Sequence, residues 1–492
     1  MKKAEAQSNA SNIQSTPPTA EKKAKVLTKH NDRRIDNYFW MRERENPQVT
    51  AYLNSENNYL KQVMAPTEGL QNKLFSELKA RIKQEDSSAP YKKGSYKYWT
   101  QYQAGFEYPQ FWRAPISSAA HQSTDKTNVS SNKLILDANE LAKDHKYFSI
   151  GSLAVSTNEN LIAYSTDTVG RRFYDLKFKS ISDNKILSDE IKNTTGNAVW
   201  LSDNKTILYS KQDPETLRSY QIYRYTLGRG KSELVYEEKD PQYYVSVQKS
   251  LTLNEVYINC RSNDSTETLV SKNLSVDVKP EDLQFKIIIK RTPQHEYAVA
   301  DGDDRYYVLT NYKAKNFRVI EVLKSVFDKT EDLKNIFSKN NFSEVVAHDP
   351  KSLIDDMIVF KNFLVFQERS GGLIKLSYMS RTDISSKTKL PSKTSTAKPR
   401  AKTLKIELKF PDPNYVAGLG HNAEYDTDSF RYDYQSLTAP ETVYDYNFKD
   451  KKTTSIKVDD VPTYDSSKYK SERVWAKAKD GAKIPISIVY KK

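Results

Sequence analysis

Fourteen glycines, six histidines and one cysteine are the residues from which a nucleophilic or metal-assisted site would have to be built. An acyl-transfer serine of the hydrolase kind sits on a strained Gly-x-Ser-x-Gly turn, followed along the chain by its aspartate and then its histidine. None of the 14 glycines starts or ends that motif, so no catalytic triad is assigned within the 492 residues. His30, His121, His145, His295, His348 and His421 are scattered and never share the i, i+4 spacing of helix-borne metal ligands, so surface or hydrogen-bonding roles are expected. No metal and no cofactor is expected. His295, followed by Glu296, is expected to support structure rather than catalysis. Cys260 ends Glu255-Val-Tyr-Ile-Asn-Cys260, the centre of an expected strand, and reads as a small buried hydrophobe; a reactive thiol needs electropositive surroundings, which Arg261 only hints at. Gly228-Arg-Gly230 and Gly418-Leu-Gly420 are too short to cradle a phosphate and read as turns between strands.

The most suggestive polar cluster is Gln367-Glu-Arg-Ser-Gly-Gly372, between the strand-like Phe363-Leu-Val-Phe366 and residues 373–378. One reading is a charged hairpin turning at Gly371-Gly372. The other places Glu368 and Arg369 at a domain interface, where an Arg–carboxylate pair is weak enough in water to break when the domains part.

The elements that would carry these residues are mostly strands. The 33 tyrosines and 18 phenylalanines favour pleated surfaces, and 492 residues exceed one ordinary core unless the fold repeats. Two amphipathic helices come first: one starts at Asn46-Pro47 with Val49, Tyr52, Leu53, Leu60, Val63 and Met64 on one face, and Thr67 can cap a second carrying Leu70, Leu74, Phe75, Leu78 and Ile82. From Tyr91 the period becomes two, and strand-rich units begin near Tyr91, Lys146, Gly196, Tyr243, His295, Lys351 and Pro413. Their spacing is that of four-stranded propeller blades, which are stable only when packed in a ring. A helical excursion over 322–341 and an insertion over 385–402 carry too few apolar residues for a core and are expected as rim loops.

Lys and Arg outnumber Asp and Glu by 77 to 63, a net charge of +14. Much of the excess lies in 22–29 and 385–402, whose Ser, Thr, Pro and Ala read as solvated tail and loop, and no stacking module or zinc spacing accompanies it; nucleic acid is not an expected partner. No run of about 18 apolar residues occurs, so no membrane span is expected. Residues 1–28 read as a disordered polar leader, since an apolar stretch does not follow Met1-Lys-Lys.

The last stretch, 471–490, reads as a β-hairpin around Asp480-Gly481, with Val474, Ala476 and Ala478 answered by Ile484, Ile486 and Ile488. An amphipathic hairpin needs a surface to pack against. Ser471-Glu-Arg-Val-Trp475, Ile484-Pro-Ile-Ser-Ile-Val-Tyr490, His30-Asn-Asp-Arg-Arg-Ile-Asp-Asn-Tyr-Phe-Trp-Met-Arg42, Thr216-Leu-Arg-Ser-Tyr-Gln221, Gln367-Glu-Arg-Ser-Gly-Gly-Leu373 and Phe430-Arg-Tyr-Asp-Tyr-Gln-Ser-Leu-Thr-Ala-Pro-Glu-Thr442 together resemble the oligopeptidase B branch of the prolyl oligopeptidase family. The resemblance runs from about His30 to the last residue. It implies a mainly β fold: a seven-bladed β-propeller over 89–462, preceded by a helical segment over 29–88 and followed at 463–492 by the start of an α/β-hydrolase domain. The helices and the hairpin would be two fragments of that hydrolase, with the chain ending before the triad, which would lie beyond Lys492. It implies a serine-type oligopeptidase cleaving short peptides after Lys or Arg, with the propeller excluding folded proteins, and no peptide hydrolysis by these 492 residues alone. The alternatives are a stand-alone propeller that binds a protein or glycan, and a fragment completed by a separate hydrolase chain. The family implies a cytoplasmic enzyme; the Met1-Lys-Lys start keeps the periplasm as the second reading.

Overall fold

A computed structural model describes residues 16–116, 131–272, 283–338, 340–382 and 405–492, and the chain divides into two units at Lys83 and Gln84. In the first unit the polar leader ends sooner than expected. Lys25–Lys29 pairs with Asp32–Asp36 about His30 and Asn31, whose φ values of 52° and 62° suit a two-residue hairpin turn. The helix α1 (Pro47–Met64) opens under Asn46, whose side chain accepts from the amide of Gln48. α2 (Glu68–Ala80) follows, but Thr67 does not cap it. The chain stays helical through Ala65–Thr67, so Thr67 lacks the extended backbone a cap needs, and its hydroxyl donates to Met64 O instead.

Besides the terminal hairpin, the second unit holds seven antiparallel sheets among the described residues, in six of which consecutive strands pair in a meander: blade 1 over 86–137, where 86–87 and 91–93 both pair with 96–102, blade 2 over 149–194, blade 3 over 198–237, blade 4 over 244–289, blade 5 over 297–346, blade 6 over 352–407 and blade 7 over 415–458. This is the expected seven-bladed propeller, and every blade begins within a few residues of its expected start. Blade 1 reaches back to Asp86–Ser87, which pairs with 101–102 ahead of the expected boundary at 89. The first strand of a blade alternates, as in Tyr244–Lys249, where Val245 and Val247 are buried and their neighbours exposed. The second strand does not. Thr206–Gln212, Arg305–Thr310 and Phe363–Ser370 are buried on both faces because a neighbouring blade covers each side, so they read as continuous apolar runs.

Six apolar clusters fill the six successive junctions between blades. Tyr98 and Leu136 meet Ile162 and Tyr164 at the first, for example, and Leu208 and Ile222 meet Val256 and Ile258 at the third. The helical excursion is part of this core rather than a rim loop. Phe327, Leu333 and Ile336, on the short helices Lys324–Phe327 and Leu333–Ile336, are buried in the junction between blades 4 and 5. Three apolar side chains on two short helices suffice because they close a cluster that the sheets have already begun. The insertion at 385–402 lies outside the described residues. Among the described residues no helix is long and apolar enough to cross a membrane.

Candidate functional site

Because every blade runs the same way, the turns between first and second strands all lie at one end of the propeller axis. These turns are 94–95, 156–160, 201–205, 250–254, 302–304, 360–362 and 420–428. The turns of blades 1, 2, 4 and 7 border a cavity of about 460 Å³ lined by residues of five blades, among them Lys93, Ala154, Trp200, Lys249 and Glu424. Only the axis is shared by so many blades. The 420–428 connection of blade 7 is the longest of these turns and reaches across the mouth. Tyr425 Oη donates to Asp303 Oδ2 of blade 5 at 2.7 Å, Lys361 N of blade 6 donates to Tyr425 O at 3.0 Å, and Gly94 N of blade 1 donates to Glu424 Oε1 at 2.7 Å. Arg381 fixes the strap, donating to Tyr425 Oη and to Gly302 O, both at 2.7 Å. Gly418 lies inside the strand Tyr415–Leu419, not in a turn, and Gly420 starts the strap where a Cβ would stand 2.9 Å from Arg431 Cγ.

The hairpin marks the opposite end. Its strands, Tyr469–Lys477 and Lys483–Lys491, join through a longer turn than the two-residue one expected, with Gly481 at φ 87° and its amide donating to Ala478 O. Asn414, at the start of blade 7, clamps both strands: Nδ2 donates to Ser471 Oγ at 3.0 Å and Glu472 O at 2.7 Å, and Ser487 Oγ donates to Oδ1 at 2.7 Å. Arg473 Nη2 donates to Gly371 O, in the turn after the second strand of blade 6. Beyond these polar contacts Val474, Trp475, Ile484, Ile486 and Ile488 stay exposed.

Glu368 and Arg369 are consecutive on the strand Phe363–Ser370, so they point to opposite faces and do not act as one cluster. Glu368 is buried, receiving Ser377 Oγ at 2.7 Å and Lys405 Nζ at 2.6 Å from its own sheet. Arg369 is the exposed member, 3.1 Å from Asp355 and two residues before the Gly371 that holds the hairpin. The Gly371-Gly372 turn stands as read, with φ of 58° and 77°. His295 is buried against Tyr297 with Nε2 2.9 Å from Thr310 Oγ1, and burial pulls its pKa down to about 4: a structural residue. Cys260 is buried in the junction between blades 3 and 4, and its thiol is pushed up to about 12, which removes it as a nucleophile. His421 stacks edge-on to Tyr91 at 4.4 Å, and His121 lies outside the described residues. Among the described residues no group of three His, Cys, Asp or Glu side chains is placed to hold a metal.

Residues 17–459 match the prolyl oligopeptidase N-terminal β-propeller domain. The chain is 33% identical over 489 residues to dipeptidyl aminopeptidase BI of Pseudoxanthomonas mexicana and 24% identical over 466 residues to protease 2 of Moraxella lacunata. These alignments cover 97% and 94% of this chain but only 63% and 61% of the relatives, so it spans less than two thirds of their length. Among solved structures it is similar to oligopeptidase B from Leishmania major, with a TM-score of 0.83, 25% identity, 97% of this chain covered and 65% of that one.

Proposed function

The chain belongs to the prolyl oligopeptidase family, as its N-terminal β-propeller portion, and on that premise we propose that it is the gating part of a serine oligopeptidase that cleaves short peptides after Lys or Arg. The apolar hairpin carries this reading. Its exposed Val474, Trp475, Ile484, Ile486 and Ile488 form the kind of face that an α/β-hydrolase domain would cover, at the axis end away from the strapped mouth. In the first unit Leu70, Leu74, Phe75 and Leu78 of α2 are exposed as well. Arg369 would then stand at the closing edge, where it could exchange Asp355, 3.1 Å away in its own blade, for a carboxylate of the hydrolase in a pair weak enough to part when substrate enters. With no nucleophile elbow in its sequence, the 492-residue chain does not hydrolyse peptides by itself.

A second reading of specificity has its own support, since the 33% identical relative is named a dipeptidyl aminopeptidase: release of dipeptides from a free N-terminus. The test is the purified chain, alone and co-expressed with an α/β-hydrolase domain of the family, against chromogenic peptides ending in Lys or Arg with free or blocked N-termini. Expected are no turnover alone, and a complex with active-site-titratable turnover when the hydrolase is supplied. Turnover of blocked substrates favours the oligopeptidase, and turnover confined to free N-termini favours dipeptide release. Titratable cleavage by the chain alone overturns the gating proposal, and failure to form any complex leaves a stand-alone binding propeller.

A further inference from the structure

Lys93 and Lys249 both line the axial cavity and are half-buried, yet neither has an ion-pair partner among the described residues; the only hydrogen bond of Lys249 Nζ there goes to Thr157 Oγ1 at 3.1 Å. Some half-buried lysines of the propeller donate only to a backbone oxygen, as Lys179 does to Ile135 O at 2.9 Å, and others are matched by carboxylates. Lys324 lies 2.6 Å from Glu255 and 2.7 Å from Asp301, and Lys457 lies 2.7 Å from Asp86. The carboxylates around the cavity bind other groups directly. Glu159 accepts from Ser95 N at 2.8 Å, Glu424 accepts from Gly94 N at 2.7 Å, and Asp426 pairs with Lys361 at 2.6 Å. Glu159 and Glu424 act on Lys93, and Asp203 on Lys249, without a contact ion pair; an ammonium group withdrawn from water with no such contact is costly, and two that repel one another across one cavity are more so. Burial, then the charge of Lys93, bring Lys249 down to about 8, and burial lowers Lys93 as well. One side of the wall is apolar, made by Ala154, Val155, Val199, Trp200, Leu251 and Leu253, and the rest carries Ser156, Thr157, Thr252 and the carboxylates.

We propose that this cavity is a binding site for a carboxylate carried on an apolar body, such as the C-terminal residue of a peptide, with Lys93 and Lys249 bracketing the carboxylate and the Trp200 side of the cavity taking the apolar part. A carboxylate placed between them supplies the contact ion pair that neither lysine has, and an apolar body displaces water from the Trp200 side of the cavity. The site stands apart from any hydrolase chemistry, because all its residues belong to the propeller.

Titration calorimetry of the full chain with N-acetyl-leucine, N-acetyl-leucinamide and inorganic phosphate tests it. N-acetyl-leucine is expected to bind, the amide at least tenfold more weakly, and phosphate more weakly than N-acetyl-leucine. Lys93→Met together with Lys249→Met is expected to abolish binding, while the melting temperature stays level or rises, because unpaired charges have been removed. Affinity should fall about tenfold from pH 7 to pH 9 as Lys249 loses its proton. Glu159, Glu424 and Asp426 also line the cavity and Asp203 acts on Lys249 from beside it, while Tyr98, pushed up to about 12, and Tyr425, also raised, stay neutral over that range. Equal binding of acid and amide, phosphate binding as tightly as the acid, an unchanged affinity in the double variant, or no heat with about 10 mM N-acetyl-leucine, where millimolar affinity would register, each overturns the proposal.

Discussion

Six junctions of the propeller are filled with apolar side chains, and the seventh, where blade 7 meets blade 1, is held by polar groups. At the junction of blades 5 and 6, Tyr307, Leu309 and Val319 interlock with Ile354, Leu364 and Phe366. At the seam Lys457 reaches Asp86 at 2.7 Å, Arg431 Nη1 donates to Pro90 O at 2.9 Å, Gly94 N donates to Glu424, and Tyr91 meets His421 edge-on. No strand is shared across it: blade 1 takes all its strands from 86–137 and blade 7 all of its own from 415–458. The contrast teaches that closure and cohesion are separate here. Packing makes the six junctions stable in proportion to the area they hide, while the seam depends on pairs whose strength is set by water and salt.

The largest effect should come from breaking a packed junction. Phe366 is almost fully buried, and Phe366→Ala is expected to cost about 3–5 kcal/mol in denaturant unfolding. A loss under about 1 kcal/mol there would mean that the junctions are not where stability resides. Next comes pH. His295, buried beside the junction of blades 4 and 5, is held neutral with its pKa near 4, while the unfolded chain takes up that proton below about 6.5. The unfolded state therefore gains stability as pH falls from about 6.5 to about 4, at a cost to the fold of up to about 3 kcal/mol, and this contribution levels off below pH 4. His295→Gln, which keeps a partner for Thr310, should flatten that part of the pH profile relative to the parent chain. An identical slope in the two proteins would assign the acid sensitivity elsewhere.

What could be read from the sequence follows the same divide. The blades were legible because a first strand such as Tyr244–Lys249 alternates and a turn such as 201–205 carries Asp203, whose carboxylate accepts from the amides of Lys205 and Thr206. The hairpin at 469–491 was legible for the same reason. Thr67 misled because capping chemistry is a local preference, and the continuous helical path around it overrode that preference. The 322–341 excursion misled because its Phe327, Leu333 and Ile336 count for little until two sheets stand around them. The clamp by Asn414, the strap through Tyr425 and Arg381, and the unpaired Lys93 and Lys249 left no local signal at all. Each depends on residues far apart in sequence, and an asparagine before a strand or a lysine at its end is ordinary in isolation. Only the length of the 420–428 connection could have drawn attention to the strap. For Glu368 and Arg369 the cluster was visible, but strand alternation separates the two.

The seam offers the smallest and most informative perturbation. Lys457 and Asp86 keep 22% and 42% of their side-chain surface exposed, so their pairing is screened by solvent. Lys457→Met is expected to cost less than about 1 kcal/mol at low salt and nothing measurable near 1 M salt, where the screening length is about 3 Å. Asp86 keeps access to water when its partner is removed, so no uncompensated buried charge is left behind, unlike the cavity that Phe366→Ala leaves in a packed core. Hydrogen exchange should localise the change, with faster exchange in 86–102 and 442–458 and none in blades 3 to 5. A loss from Lys457→Met that equals that from Phe366→Ala and survives high salt would show the ring to be locked at its polar closure as firmly as anywhere else, and the separation of closure from cohesion would fail.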